Sequence, residues 1–278
     1  MTDTFLRSCE HWSEESRKEM EAFYTLASID YKYIAEAYDW KSWFETLQRT
    51  VGKRRLKLLD VACGSGKFPV ALGQYANIAV AKILPVEYSL LDPSPFSIAE
   101  AREVLIPPFL ATTEFETTLQ ALSCNQNFFD IIWATHALYA IPQCELECAL
   151  KRFVYGMRGV GFIAHATSNS HYLRFYQHYI NGFKDGVGEP YSNAEKILQT
   201  LTKMGISHTV RKISYGNIAN ESSSLQVQRY LQRCIFDNTI ELQDMLDNSV
   251  TGPYLKSCLK ESKWHFKQEV MMIFLSKT

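Results

Sequence analysis

The spacing of apolar positions changes period several times along the chain. Near the start, Met20, Phe23 and Ala27 recur at i, i+3 and i+7 behind Ser16 and Glu19, a capping-box spacing that predicts a helix over 16–28. Tyr31, Ile34, Tyr38, Phe44 and Leu47 predict a second helix reaching about Arg49. Four short apolar runs follow: "LKLLDVA" (56–62), "VEYSLLD" (86–92), "FDIIWAT" (129–135) and "VGFIAHA" (160–166). Each precedes a helical pattern such as "SPFSIAEAREVL" or "QCELECALKRFVYGM". That alternation predicts a mostly parallel sheet with helices on both faces, an α/β fold. Beyond the breaker-rich "DGVGEP", "YSNAEKILQTLTKMG" reads as a helix capped by Ser192, with Glu195 three residues on, and closed by Gly205. A strand "SHTVRKISY", a polar loop "GNIANESSS", two helical stretches between about 223 and 262 and a terminal strand "VMMIFL" complete the pattern.

Composition narrows the function classes. The chain has 278 residues, 46% of them hydrophobic and 21% charged, with a net charge of −1. It has no excess of basic residues to follow a phosphate backbone, so nucleic acid is not expected as a partner. The first twenty residues hold no apolar stretch long enough for a signal peptide and no window approaches a membrane span, so a cytoplasmic location is expected. The seven cysteines form no C-x-x-C pair, and Cys144 and Cys148 have no nearby histidines. They read as buried free thiols, and no metal is expected. With no internal repeat and no linker, residues 1–278 are expected to form one monomeric domain: a helical cover (1–52), a cofactor-binding core (53–188) and a C-terminal part (189–278) completing the sheet and pocket.

The segment "LLDVACGSGKF" (58–68) carries the chemistry. A strand running into Gly64 and Gly66 and then a helix lets backbone approach a ligand at the carboxyl end of a sheet. A dinucleotide fingerprint needs a third glycine where this chain has Pro69, which weakens that reading. The second strand ends in Asp92, placed to accept hydrogen bonds from a ribose diol. A strand-to-helix turn that merely needs glycine is the plain structural alternative.

The glycine loop, Asp92 and "FDIIWATHAL" in this order resemble the class I methyltransferases that use S-adenosylmethionine, with Asp60, Ala62, Gly64 and Gly66 standing where such families have D-x-G-x-G-x-G. From about residue 20 onward the chain is similar to the histamine N-methyltransferases, through "LDVACGSGKF", "LLDPSPFSIAEAREVL", "FDIIWATHALYAI", "YLRFYQHY", "YSNAEKILQTLTKMGI" and "VMMIFL". The resemblance implies a Rossmann-like sheet whose last strand is antiparallel, and it implies S-adenosyl-L-methionine as cofactor, with Gly64, Gly66, Asp92, Ser97, Thr118 and Thr135 facing it. It places Phe23, Asp30, His136, Tyr139, Tyr172, Tyr176, Phe183 and Gln268 or Glu269 toward the substrate.

Among these, Asp30, His136 and Tyr139 are the catalytic candidates. Asp30 would hold a cationic group or cap the second helix; His136 would line the pocket or accept a proton. Tyr172, Phe175, Tyr176 and Tyr179 form an aromatic stripe of the kind that also builds cores. His165, inside a strand, reads as a satisfied core histidine. The family's amide is His136 here, its second tyrosine is Ala140, its two tryptophans are Tyr172 and Tyr176, and its acid on the cover is the shorter Asp30. The expected activity is N-methylation of a small nitrogenous metabolite of imidazole, indole or amine type, bulkier than histamine because Ala140 replaces a ring. O-methylation of a phenol or carboxylate, and a non-catalytic cofactor-binding scaffold, are the competing readings.

Overall fold

The computed structural model describes residues 3–277. In chain order the elements are α1 (Asp3–His11), α2 (Arg17–Glu36), α3 (Trp40–Val51), β1 (Lys57–Val61), α4 (Lys67–Tyr75), β2 (Val86–Leu91), α5 (Pro95–Val104), β3 (Phe109–Phe115), β4 (Phe129–Thr135), α6 (Leu146–Gly156) and β5 (Met157–Ala166). They continue with α7 (His171–Phe183), α8 (Ala194–Lys203), β6 (Ser207–Asn220), α9 (Ser224–Ile235), α10 (Leu242–Asp247), α11 (Thr251–Cys258), β7 (Leu259–Lys260) and β8 (Lys263–Ser276). The strands form one sheet in the order β3-β2-β1-β4-β5-β8-β6, with β7 pairing β8. From β3 through β5 the pairings are parallel, and β8 runs antiparallel to both neighbours. This is the mostly parallel, Rossmann-like α/β sheet with a reversed last strand. No helix among the described residues is long and apolar enough to cross a membrane.

The central strands read as continuous apolar runs because both faces are covered, and β4 is buried at all seven positions. One face packs Trp40, Phe44, Phe68 and Trp133 beneath α3 and α4; the other packs Leu150, Phe153, Ile197 and Leu201 from α6 and α8. A third cluster, with Leu26, Phe175, Tyr230 and Leu255, joins α2, α7, α9 and α11 into a cap above the carboxyl ends of the strands.

Several predicted boundaries shift for physical reasons. The two N-terminal helices merge into α2 and re-form as α3, so Asp30 lies inside a helix and caps nothing. Ser16 precedes α2 without a side-chain capping bond. At α8 the cap is Asn193, whose side chain accepts from the Lys196 amide, while Ser192 Oγ donates to the Ile141 carbonyl at 3.1 Å. The "GNIAN" half of the expected loop continues β6, burying Tyr215, Asn217 and Ala219 at every second position. Residues 223–262 hold three helices, not two. Cys63, Cys234 and Cys258 are buried, but Cys144 and Cys148 are exposed, which corrects the expectation of uniformly buried thiols.

Candidate functional site

Strand order reverses direction between β1 and β4, so the connections leaving these two strands diverge and open a crevice at their carboxyl ends. The cavity found there is roofed by the cap and by α1. Its floor is the glycine loop. Gly64 (φ +51°) lines the cavity and has nothing within 4 Å of where a Cβ would sit, whereas a Cβ at Gly66 (φ +67°) would stand 2.6 Å from Val104 Cγ2 and 3.1 Å from Ala101 Cα. The two glycines therefore do different work: Gly64 leaves space for a ligand, and Gly66 lets the loop press onto α5.

Asp92 ends β2 and lines the same cavity. Its Oδ2 accepts from the Gly64 amide at 3.1 Å and its Oδ1 from the Ser94 amide at 2.9 Å. Burial raises its pKa to about 6 against these two bonds. A carboxylate offers about four acceptor directions, so lone pairs remain for a diol. Ser97, Thr118 and Thr135 also lie in the lining, so that five of the six residues expected to face a cofactor are gathered there, Gly66 being the exception. Asp60, at the loop's start, accepts from the Tyr88 hydroxyl at 2.6 Å, and burial raises it to about 7.

The far side of the cavity is aromatic and holds one buried acid. Asp30 projects from the middle of α2, where Oδ2 accepts from the Tyr172 hydroxyl at 2.5 Å and Oδ1 from Asn217 Nδ2 at 3.0 Å. Burial pushes its pKa up to about 7, against the lowering effect of those two donors. Phe23, one helical turn before Ala27 on the same helix, stands 6.2 Å from the Tyr172 ring and 5.9 Å from Trp12. His136 follows β4 in the left-handed region (φ +52°), with its ring edge-on to Tyr31 at 5.8 Å and its Nε2 buried without a partner. Burial drops its pKa to about 3, so the ring is neutral near pH 7. The Tyr139 hydroxyl accepts from the Trp12 indole at 2.7 Å and bonds Ser8 Oγ at 3.1 Å.

Phe23, Asp30, His136, Tyr139 and Tyr172 thus share the cavity, and four other expected substrate residues do not. Tyr176 turns into the cap, stacked on Tyr191 with ring centroids 3.6 Å apart, and its hydroxyl accepts from Arg7. Phe183 stacks on Tyr179 at the end of α7. Gln268 is fully buried and donates to the Tyr230 hydroxyl at 3.2 Å. Glu269, on the opposite face of β8, accepts from Thr167 at 2.8 Å. His165 does line the cavity: its Nε2 donates to the Ser192 carbonyl at 3.0 Å, leaving Nδ1 without a partner, so it is only half satisfied.

Sequence reasoning missed Trp12, Tyr24, Tyr31 and Arg233, all cavity residues. The tyrosines belong to the same α2 face as Phe23 and were visible in its spacing. Arg233 carried a weaker signal, a cation set among the apolar residues of "RYLQRCIF".

No protein-family model matches the chain, and no curated protein matches it significantly. Solved structures do. Magnesium protoporphyrin IX methyltransferase from Synechocystis PCC 6803, solved with bound S-adenosylhomocysteine, superposes with a TM-score of 0.57 at 10% identity, over 99% of this chain and 100% of that one. The YcgJ protein from Bacillus subtilis gives 0.52 at 13% identity, over 84% and 98%. The plantazolicin methyltransferase BpumL, in complex with S-adenosylhomocysteine, gives 0.50 at 12% identity, over 99% and 95%. The chain has the class I methyltransferase fold.

Proposed function

We propose that the protein is an S-adenosylmethionine-dependent methyltransferase that acts on a nitrogen of a small metabolite. The observation that carries this reading is one cavity in which Asp92 and the open side of Gly64 face an aromatic chamber containing Asp30. Asp92 would hold the ribose hydroxyls, Gly64 would give room for the amino-acid portion, and Ser97, Thr118 and Thr135 would complete that wall. Bound there, S-adenosylmethionine would supply a methyl group already activated by a sulfonium; S-adenosylhomocysteine, present in two of the similar structures, is its demethylated form. Class I folds in this comparison support the cofactor assignment through the shared architecture.

The chain's own residues then align the acceptor, exclude water and take up a proton. Alignment alone can contribute roughly 7–11 kcal/mol. Phe23, Tyr24, Tyr31 and Tyr172 surround the acceptor space with ring faces suited to a nitrogen that becomes cationic on methylation. Asp30, with a pKa of about 7, suits proton acceptance near neutrality. His136 at about 3 does not; we assign it as a neutral hydrogen-bonding wall. O-methylation of a phenol with His136 as its base loses ground on this point. The finer likeness to the histamine N-methyltransferases rests on the sequence motifs, and Ala140 in the lining favours an acceptor larger than histamine.

Calorimetry with S-adenosylhomocysteine tests the cofactor, and mass spectrometry of amine, imidazole, indole and phenol acceptors with labelled S-adenosylmethionine tests the reaction. Micromolar binding and label on nitrogen are expected. Absence of binding overturns the whole reading; label on phenol oxygen alone overturns the nitrogen assignment.

A further inference from the structure

We propose that Arg233 binds a carboxylate of the acceptor, so that the substrate is an amino acid or similar zwitterion and not a simple amine. This rests on the methyltransferase reading above.

Arg233 sits in the last turn of α9, is 2% exposed and lines the cavity. Its Nε and Nη1 have no hydrogen-bond partner, and Nη2 makes one long bond, 3.4 Å, to the Ser16 carbonyl. The guanidinium lies over the Trp12 ring, 4.6 Å from its centroid. That contact offsets part of the buried charge while leaving the N–H edges unused, because a ring face takes no in-plane hydrogen bonds. A buried cation left this way is costly unless an anion completes it.

No carboxylate hydrogen-bonds it: Glu19 acts on it through space only, and the acids of the lining bond other groups. Asp30 is engaged by Tyr172 and Asn217, Asp60 by Tyr88, and Asp92 by the Gly64 and Ser94 amides. His11, beside Arg233, is held neutral by burial, with its pKa at about 4. The other cation of the lining, Lys67, lies over Tyr24 and within the influence of Glu100 and Glu21. One guanidinium with no hydrogen-bonded anion, in a largely aromatic chamber, matches a single negative charge, which fits a carboxylate and leaves a phosphate dianion undercompensated.

Position separates the two possible sources of that carboxylate, the acceptor and the amino-acid end of the cofactor. Arg233 comes from the cap, not from the glycine loop. A run of rings connects it to the buried acid: Arg233 over Trp12, Trp12 5.9 Å from Phe23, and Phe23 6.2 Å from Tyr172, whose hydroxyl bonds Asp30. An acceptor lying along Phe23 would meet the acid at its nitrogen end and the arginine at its carboxylate end.

The test is calorimetric binding to the full chain loaded with S-adenosylhomocysteine, using two pairs of probes, histidine with histamine and tryptophan with tryptamine. In at least one pair the carboxylated member is expected to bind roughly tenfold or more tightly. Arg233→Met is expected to abolish that preference while leaving S-adenosylhomocysteine affinity within about threefold, a change of under 1 kcal/mol. Equal binding within both pairs, tighter binding of the decarboxylated members, or no binding of any probe overturns the proposal in the unaltered protein, whatever the variant's stability. A large loss of S-adenosylhomocysteine affinity in Arg233→Met assigns the arginine to the cofactor's own carboxylate and also overturns it. If the unaltered protein binds no S-adenosylhomocysteine, the methyltransferase reading falls first, and the two failures are told apart.

Discussion

Gly64 and Gly66 are two residues apart and both left-handed, yet a methyl group added to each meets opposite surroundings. Gly66→Ala drives its Cβ into α5 and is expected to lower stability by about 2–3 kcal/mol, read as a shift in the urea midpoint. Gly64→Ala has open space and carries only the backbone cost of about 1 kcal/mol, but should weaken S-adenosylhomocysteine binding at least roughly tenfold by calorimetry. Asp30→Asn separates function from stability in another way. A buried acid raised from 3.8 to about 7 opposes folding above its unfolded pKa, because the unfolded chain releases the proton more readily. The variant should therefore gain on the unaltered protein as pH rises from about 4 to about 7, by on the order of 2–4 kcal/mol, while losing roughly a hundredfold in kcat if the carboxylate is the proton acceptor. Denaturation at pH 5 and pH 8, with rates on the folded variant, checks both. Gly64 and Asp92 were legible because their signal is local: a strand, a turn and a strand end. Arg233 was not, since nothing in a helical pattern tells whether a terminal arginine meets solvent or a cavity.

At the scale of elements, the segment before α2 closes the roof. Arg7 donates to the Tyr176 and Tyr179 hydroxyls, the Trp12 indole donates to Tyr139, and the Trp12 carbonyl accepts from Ser94 Oγ at 3.2 Å. α1 is thus pinned to the cap through Arg7, and Trp12, just after it, to the turn after β2. Trp12→Phe keeps a ring beneath Arg233 but removes the indole donor, and is expected to speed S-adenosylhomocysteine dissociation about fivefold, the equivalent of one hydrogen bond of about 1 kcal/mol, in stopped-flow displacement. The sequence located the sheet elements well because apolar runs bounded by glycine and proline are specific. It mistook β6 for a shorter strand because Asn217 and Asn220 look like loop residues. Tertiary bonds account for a buried asparagine in a strand: the Asn217 amide donates to Asp30 and to the Leu26 carbonyl, each at 3.0 Å. The stripe on α7 was visible, but its division was not: Tyr172 faces the cavity, while Tyr176, one turn on, is claimed by Tyr191.

Across the whole molecule, acid and base groups oppose one another. Burial raises Asp30, Asp60 and Asp92, which makes stability fall with rising pH between about 4 and their folded values of about 6–7. Burial lowers His11, His136, His165 and His171 to about 3–4, which makes stability fall as pH drops below the unfolded value near 6.5. The two sets overlap with opposite sign, so the melting temperature should change little from about pH 4.5 to 6.5, and calorimetric scans check this. Below about 4 the carboxylate contribution ends while the lowest histidines still titrate, and stability should drop.

One feature of the architecture governs how such a molecule can open. β6 and β8 pair over fourteen residues, from Ser207 with Ser276 to Asn220 with Lys263, and so run unbroken from the sheet into the cap. Two halves stitched together by the same pair of strands cannot hinge apart. Passage of small molecules is then expected to fall to α1, the nine-residue helix of the roof, and displacement of so short a segment is faster than domain closure. Product departure would not limit turnover, and a rapid-quench experiment should record a straight line from the first cycle, with no initial burst.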